Sequence, residues 1–69
     1  MKYVVVIEKG LTSYGATVPD LPGCVAVADT RDEVERLIQE AIAFHLEGMR
    51  EDGLPIPEPH HDVAVVDVK

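Results

Sequence analysis

The 69-residue sequence predicts an α+β fold of order β-β-β-α-β, one sheet with a single helix packed on one face. Three observations carry this. Residues 3–9, 13–18 and 24–28 alternate with the period of two that sends successive side chains to opposite faces of a sheet. A helix-opening signature at Thr30-Arg31-Asp32-Glu33 then precedes a long run with apolar residues at helical spacing. Asp62 to Val68 alternates again, after a stretch punctuated by prolines. A meander followed by a crossover helix brings the last strand back parallel to the first, so the expected strand order is 3-2-1-4.

In the first strand, residues 3–9, Tyr3, Val5 and Ile7 point one way and Val4, Val6 and Glu8 the other. Both faces are apolar over most of the run, which suits a central strand. Gly10-Leu11-Thr12 supplies the turn. The second strand, Ser13 to Val18, sets Tyr14, Ala16 and Val18 against Ser13, Gly15 and Thr17. A connector follows, Val18-Pro19-Asp20-Leu21-Pro22-Gly23-Cys24. Pro19 and Pro22 fix their own φ and bias Val18 and Leu21 toward extended backbone, while Gly23 can turn through positive φ at no steric cost. The expected result is a stiff link. Asp20 can cap its own turn by accepting a backbone N–H two residues on. Leu21 is either a plug into the core or an exposed apolar knob.

After a third strand, Cys24 to Ala28, Thr30 is the N-cap and Glu33 its capping-box partner, with Asp32 and Glu33 on the positive end of the helix dipole. The helix is predicted from Arg31 to Asp52. Gly53 provides the left-handed residue past its end and Leu54 folds back on the last turn. Val34, Leu37, Ile38, Ala41, Phe44, His45, Gly48 and Met49 cluster on one side, and Ile42 and Leu46 widen that stripe beyond what one face of a small sheet needs. The excess is a candidate contact surface. Pro55, Pro57 and Pro59 keep the next stretch extended, and a fourth strand is expected from Asp62 to Val68. The sheet face opposite the helix must retain several valines, and such patches find partners.

Length and charge limit the function. A chain this short buries only about 60% of its unfolded surface and needs a helper. Cys24 is the one cysteine, which removes an internal disulfide and a thiolate metal site, so a homodimer or higher oligomer is expected. No run approaches the ~20 apolar residues of a membrane span, and a soluble, cytoplasmic protein is expected. Thirteen acidic against six basic residues give a net charge of −7. That field opposes phosphate backbones, disfavours direct nucleic-acid binding and suits a basic protein partner, or simply maintains solubility.

Little in the chain suggests catalysis. Glu8, Asp29, Asp62 and Asp67 are candidates for a two-metal hydrolytic site, but strand ends and a helix start do not bring them together. His60-His61-Asp62 is the best local metal candidate, yet adjacent residues of an extended segment point to opposite sides, and no site is assigned. His45 lies in the apolar stripe and calls for one hydrogen-bond partner. Cys24 has no base beside it and reads as an inert buried thiol. No catalytic residue, metal or cofactor is expected. On the helix, Glu47 with Arg50 and Asp32 with Arg36 have the spacing of surface ion pairs.

Pro19-Asp20-Leu21-Pro22-Gly23-Cys24, then Asp29-Thr30 opening the helix, then Gly53-Leu54-Pro55-Ile56-Pro57, resembles the HicB family of antitoxins. With the strand of residues 3–9, these motifs span nearly the whole chain. The resemblance implies a reduced ribonuclease H-like fold, the loss of catalytic residues, and a partner that is a small basic endoribonuclease of the HicA type. Members commonly add a C-terminal DNA-binding domain for autorepression. This sequence departs from that pattern by stopping at Lys69, so one domain over residues 1–69 and no repressor role are expected. The candidate partner-binding residues are Leu21, Glu40 and Glu47. Pro19, Asp20, Pro22, Gly23, Thr30, Glu33 and Gly53 are the structural motif. The alternatives are a solitary self-associating domain of other binding function, or a minimal metal-dependent nuclease.

Overall fold

The computed structural model describes residues 1–69. It contains strands β1 (Val6–Lys9), β2 (Tyr14–Thr17) and β3 (Val25–Ala28), then helix α1 (Arg31–Glu51). The strands form an antiparallel meander in the order β1-β2-β3. Ile7, Ala16 and Ala26 lie opposite one another across the three strands, so they share a face. That face carries the core: Ala16, Val18, Leu21, Cys24 and Ala28 pack against Val34 and Ile38 of the helix. The opposite face exposes Val6, Val25 and Val27, the uncovered valines anticipated from the alternation.

β1 is shorter than the expected run of residues 3–9 because its partner ends. The register pairs Val6 with Thr17, which would next place Val5 on Val18 and Val4 on Pro19. Proline has no N–H to continue the ladder. Tyr3 and Val5 still pack against the core as partly buried side chains.

Helix α1 begins and ends where its signals stand. Thr30 Oγ1 accepts the Glu33 amide at 3.1 Å, the threonine half of the expected capping box. At the other end Gly53 has φ +70° and the Leu54 amide reaches back to the Met49 carbonyl at 2.9 Å, the six-to-one bond of a Schellman ending. The helix lies across β3 and β2. Phe44, placed on the inner stripe by its spacing, is 80% exposed. It sits on the flank away from Ile42 and Leu46, which are the side chains drawn in against the core. Arg36 pairs with Glu40 at 3.1 Å, the (i, i+4) choice toward the helix C-terminus, and not with Asp32.

The fourth strand expected over Asp62–Val68 is not formed. The order 3-2-1-4 is therefore not reached, β2 and not β1 is the central strand, and β1 is an edge. Alternation defines the two faces of a strand but not its partner. Residues 55–69 make no backbone–backbone hydrogen bond, and the Val63 amide is taken by its neighbour's Asp62 Oδ1 at 2.8 Å. Val63, Val65, Val66 and Val68 are all exposed. The chain is elongated, 46 × 28 × 15 Å, with a radius of gyration of 13.5 Å. A compact chain of this length would have about 11 Å.

Candidate functional site

Two tight turns build the connector between β2 and β3. The Leu21 amide bonds to the Val18 carbonyl at 3.0 Å, and the Cys24 amide to the Leu21 carbonyl at 3.1 Å. In the second turn Pro22 and Gly23 occupy the central positions and Gly23 has φ +85°, a type II turn. No atom lies within 4 Å of a Cβ added at Gly23, so the requirement for glycine there is one of backbone conformation.

The turns aim alternate side chains inward. Leu21 is 1% exposed and among the largest fully buried side chains. It is the plug, not the knob. Pro19, Pro22 and Gly23 are exposed at the corners. Burial pushes the Cys24 thiol pKa up, consistent with an inert side chain.

Asp20 departs most from its sequence reading. Two residues on stands Pro22, which has no N–H to give, so the carboxylate cannot cap its own turn in the expected way. It is buried and turns to the segment after the helix. Asp20 Oδ2 accepts the His60 amide at 3.1 Å, and Oδ1 accepts from the His61 ring through Nδ1 at 2.5 Å. His60 Nδ1 lies 2.7 Å from the same Oδ1 and 3.2 Å from the Glu58 carbonyl. Burial by itself would raise the Asp20 pKa. The His61 ring, the His60 amide and the charge of both imidazoles outweigh it and hold the carboxyl below its ordinary value.

His60 and His61 therefore reach the same side, with ring centroids 4.6 Å apart, where adjacent residues of an extended segment were expected to diverge. A second tie lies beside them: the Tyr3 hydroxyl donates to the Pro57 carbonyl at 2.5 Å. Burial and the nearby Glu58 and Asp20 carboxylates raise the Tyr3 pKa, which keeps that hydroxyl a donor. Together these bonds clasp residues 57–61 to the connector and to the segment that leads into β1.

Asp20, His60 and His61 are also the group whose donor atoms come within 4.8 Å of one another. One carboxylate and two imidazoles are zinc-type donors. Bonds of about 2.0–2.1 Å to a tetrahedral ion, however, hold its ligands about 3.3 Å apart. The shorter separations here are those of hydrogen bonds, which satisfy Asp20 from within the chain. Glu8, Asp29, Asp62 and Asp67 are not part of this group. His45 is half-buried on the helix.

The exposed side of α1 is the principal acidic surface. Asp32, Glu33, Glu35, Glu40, Glu47, Glu51 and the cap Asp52 are all exposed there, against Arg31, Arg36 and Arg50. No helix is long and apolar enough to cross a membrane.

Comparison with known proteins agrees with the sequence motifs. A family model described as the HicB_like antitoxin of bacterial toxin-antitoxin systems matches residues 3–67. An uncharacterised 14.9 kDa protein of Haemophilus phage HP1 is 45% identical over 84% of this chain, which spans 44% of that relative's length. A UPF0150 protein of Archaeoglobus fulgidus is 42% identical over 100% of this chain and 97% of its own length. Another from Thermoplasma acidophilum is 34% identical over 96% and 97%. Among solved structures, a chain of a HicA3 and HicB3 toxin-antitoxin complex superposes with a TM-score of 0.73 and 30% identity, covering 87% of this chain and 70% of that one.

Proposed function

The chain belongs to the HicB-like antitoxin family, and from that premise we propose that it binds and neutralises a small basic endoribonuclease of the HicA type by protein–protein contact. The observation that carries this reading is the acidic outer side of α1, set on a body with a net charge of −7. Carboxylates presented from a rigid helix steer a basic partner and repel nucleic acid, so the chain competes with RNA for the toxin and does not bind RNA itself. Glu40 and Glu47 are the candidate steering residues. The role is non-catalytic and cytoplasmic, where such a toxin meets its RNA.

The test is RNA cleavage by a purified HicA-type toxin, titrated with the chain. Protection of the RNA that saturates at a fixed ratio of the two proteins is the expected result. Undiminished cleavage at excess chain overturns the reading. The chain alone, with magnesium or manganese, is expected to leave RNA and DNA intact. Turnover lost in Asp29→Asn or Asp62→Asn would instead establish an enzyme.

A further inference from the structure

We infer that Asp62–Val68 is a strand donated to the β1 edge of a second copy of this chain. The inference starts from surface area. A folded monomer of this mass exposes about 4,200 Å², whereas this chain exposes 5450 Å². The excess is about 1,200 Å² per chain, or about 2,400 Å² for a pair, which is the scale of obligate homodimers.

Two complementary features stand uncovered. One is the segment itself. It alternates Val63 and Val65 against Ala64, Val66 and Val68, carries no pairing within its own chain, and is exposed throughout. The other is the edge. β1 continues a run that is apolar on both faces, a pattern suited to a strand flanked on both sides, yet only β2 pairs with it. Because α1 lies across β3 and β2, the helix-bearing face beside β1 is left as an open groove of about 350 Å³ bounded by Val5, Ile7 and Tyr14, with Lys9 and Arg31 at its charged margin.

A strand laid on that edge fits both sides. One set of its side chains enters the groove, and the other extends the exposed patch of Val6, Val25 and Val27. The clasp at Asp20 and Tyr3 fixes where the segment leaves its own body. Exchange between two copies satisfies both edges at once, as a self-complementary interface requires. It also restores the order 3-2-1-4, with the fourth strand coming from the partner copy.

The experiment is light scattering on the full chain at micromolar concentration, followed by isotope-filtered NMR on a refolded mixture of differently labelled chains. A mass of two chains, or a multiple of two, is expected, with intermolecular contacts between residues 62–68 and Val6–Lys9. Val65→Pro removes a ladder amide from a segment that the single body does not use. Val65→Lys places a charge on it without touching the backbone. Both variants are expected to halve the mass and keep the helical circular dichroism. A wild-type monomer overturns the inference, as does an oligomer whose residues 62–68 contact only their own chain or one another. Ordering of that segment only when a toxin is added overturns it too.

Discussion

Asp20 Oδ1 accepts the ring N–H of His61 at 2.5 Å across 41 positions of sequence, and this bond ties the segment after the helix to the turn before β3. The deprotonated carboxylate is the form the fold binds, since the native pKa lies below the ordinary value of 3.8. Between those two values the unfolded chain holds more protons than the native one, so stability falls as pH drops. The Asp20 contribution is complete above 3.8 and is lost as pH falls through the native value. Thermal melts across that range are expected to show the loss. Asp20→Asn removes the acid-sensitive step and lowers the melting temperature at neutral pH. His61→Ala moves the step to higher pH, because the strongest bond to the charged form is gone.

Leu21→Ala tests the plug. The side chain is fully buried among Val34, Ile38 and Cys24 in a core of only seven apolar residues. Truncation leaves a cavity that so small a core refills poorly, and a loss of about 2–5 kcal/mol is expected in denaturant unfolding. Binding to a toxin, measured where the variant is still folded, is expected to be unaltered. A stable variant with weakened binding would return Leu21 to the surface.

Gly23→Ala separates conformation from contact. There is room for the added methyl, so the whole effect comes from holding an alanine at φ +85°. The expected cost is about 1 kcal/mol or more in chemical unfolding. Gly15→Ala is the control, because that glycine also has open space around its Cβ but does not have positive φ. Equal effects at the two sites would mean that φ at Gly23 is not the cause.

These residues mark what sequence reading could reach. The meander, the inward set Ile7, Ala16 and Ala26, the helix from Thr30 to Gly53 and the positive φ at Gly23 are local features. Side-chain period, capping chemistry and the steric freedom of glycine determine them within a few residues. Leu21, Phe44 and Asp20 were ambiguous or misplaced because their surroundings come from distant elements. Phe44 lies at the margin of the apolar stripe, where the angle at which α1 crosses the sheet decides burial. For Asp20 a local signal was present: Pro22 has no amide to donate, so a buried carboxylate had to find its donors elsewhere. His60 and His61 could not be named as those donors from spacing alone. The alternation of residues 62–68 was legible, but its partner strand was not, since register and pairing depend on the edges that other elements leave open.

The steering surface is tested by Glu40→Gln with Glu47→Gln. Both side chains are exposed, and the substitutions leave the Thr30 cap and the buried Val34 and Ile38 untouched. Glu40 loses its ion pair with Arg36 at 3.1 Å, but an exposed (i, i+4) pair is worth only about 0.2–0.5 kcal/mol. Folding is therefore expected to survive. The association rate with a cognate basic toxin is expected to fall while the dissociation rate stays close to wild type, because peripheral charge acts on encounter more than on the formed complex. Stopped-flow traces at increasing salt are expected to bring the two proteins together as the screening length shrinks to about 3 Å near 1 M. A wild-type association rate that ignores salt would mean that the charge of −7 serves solubility alone.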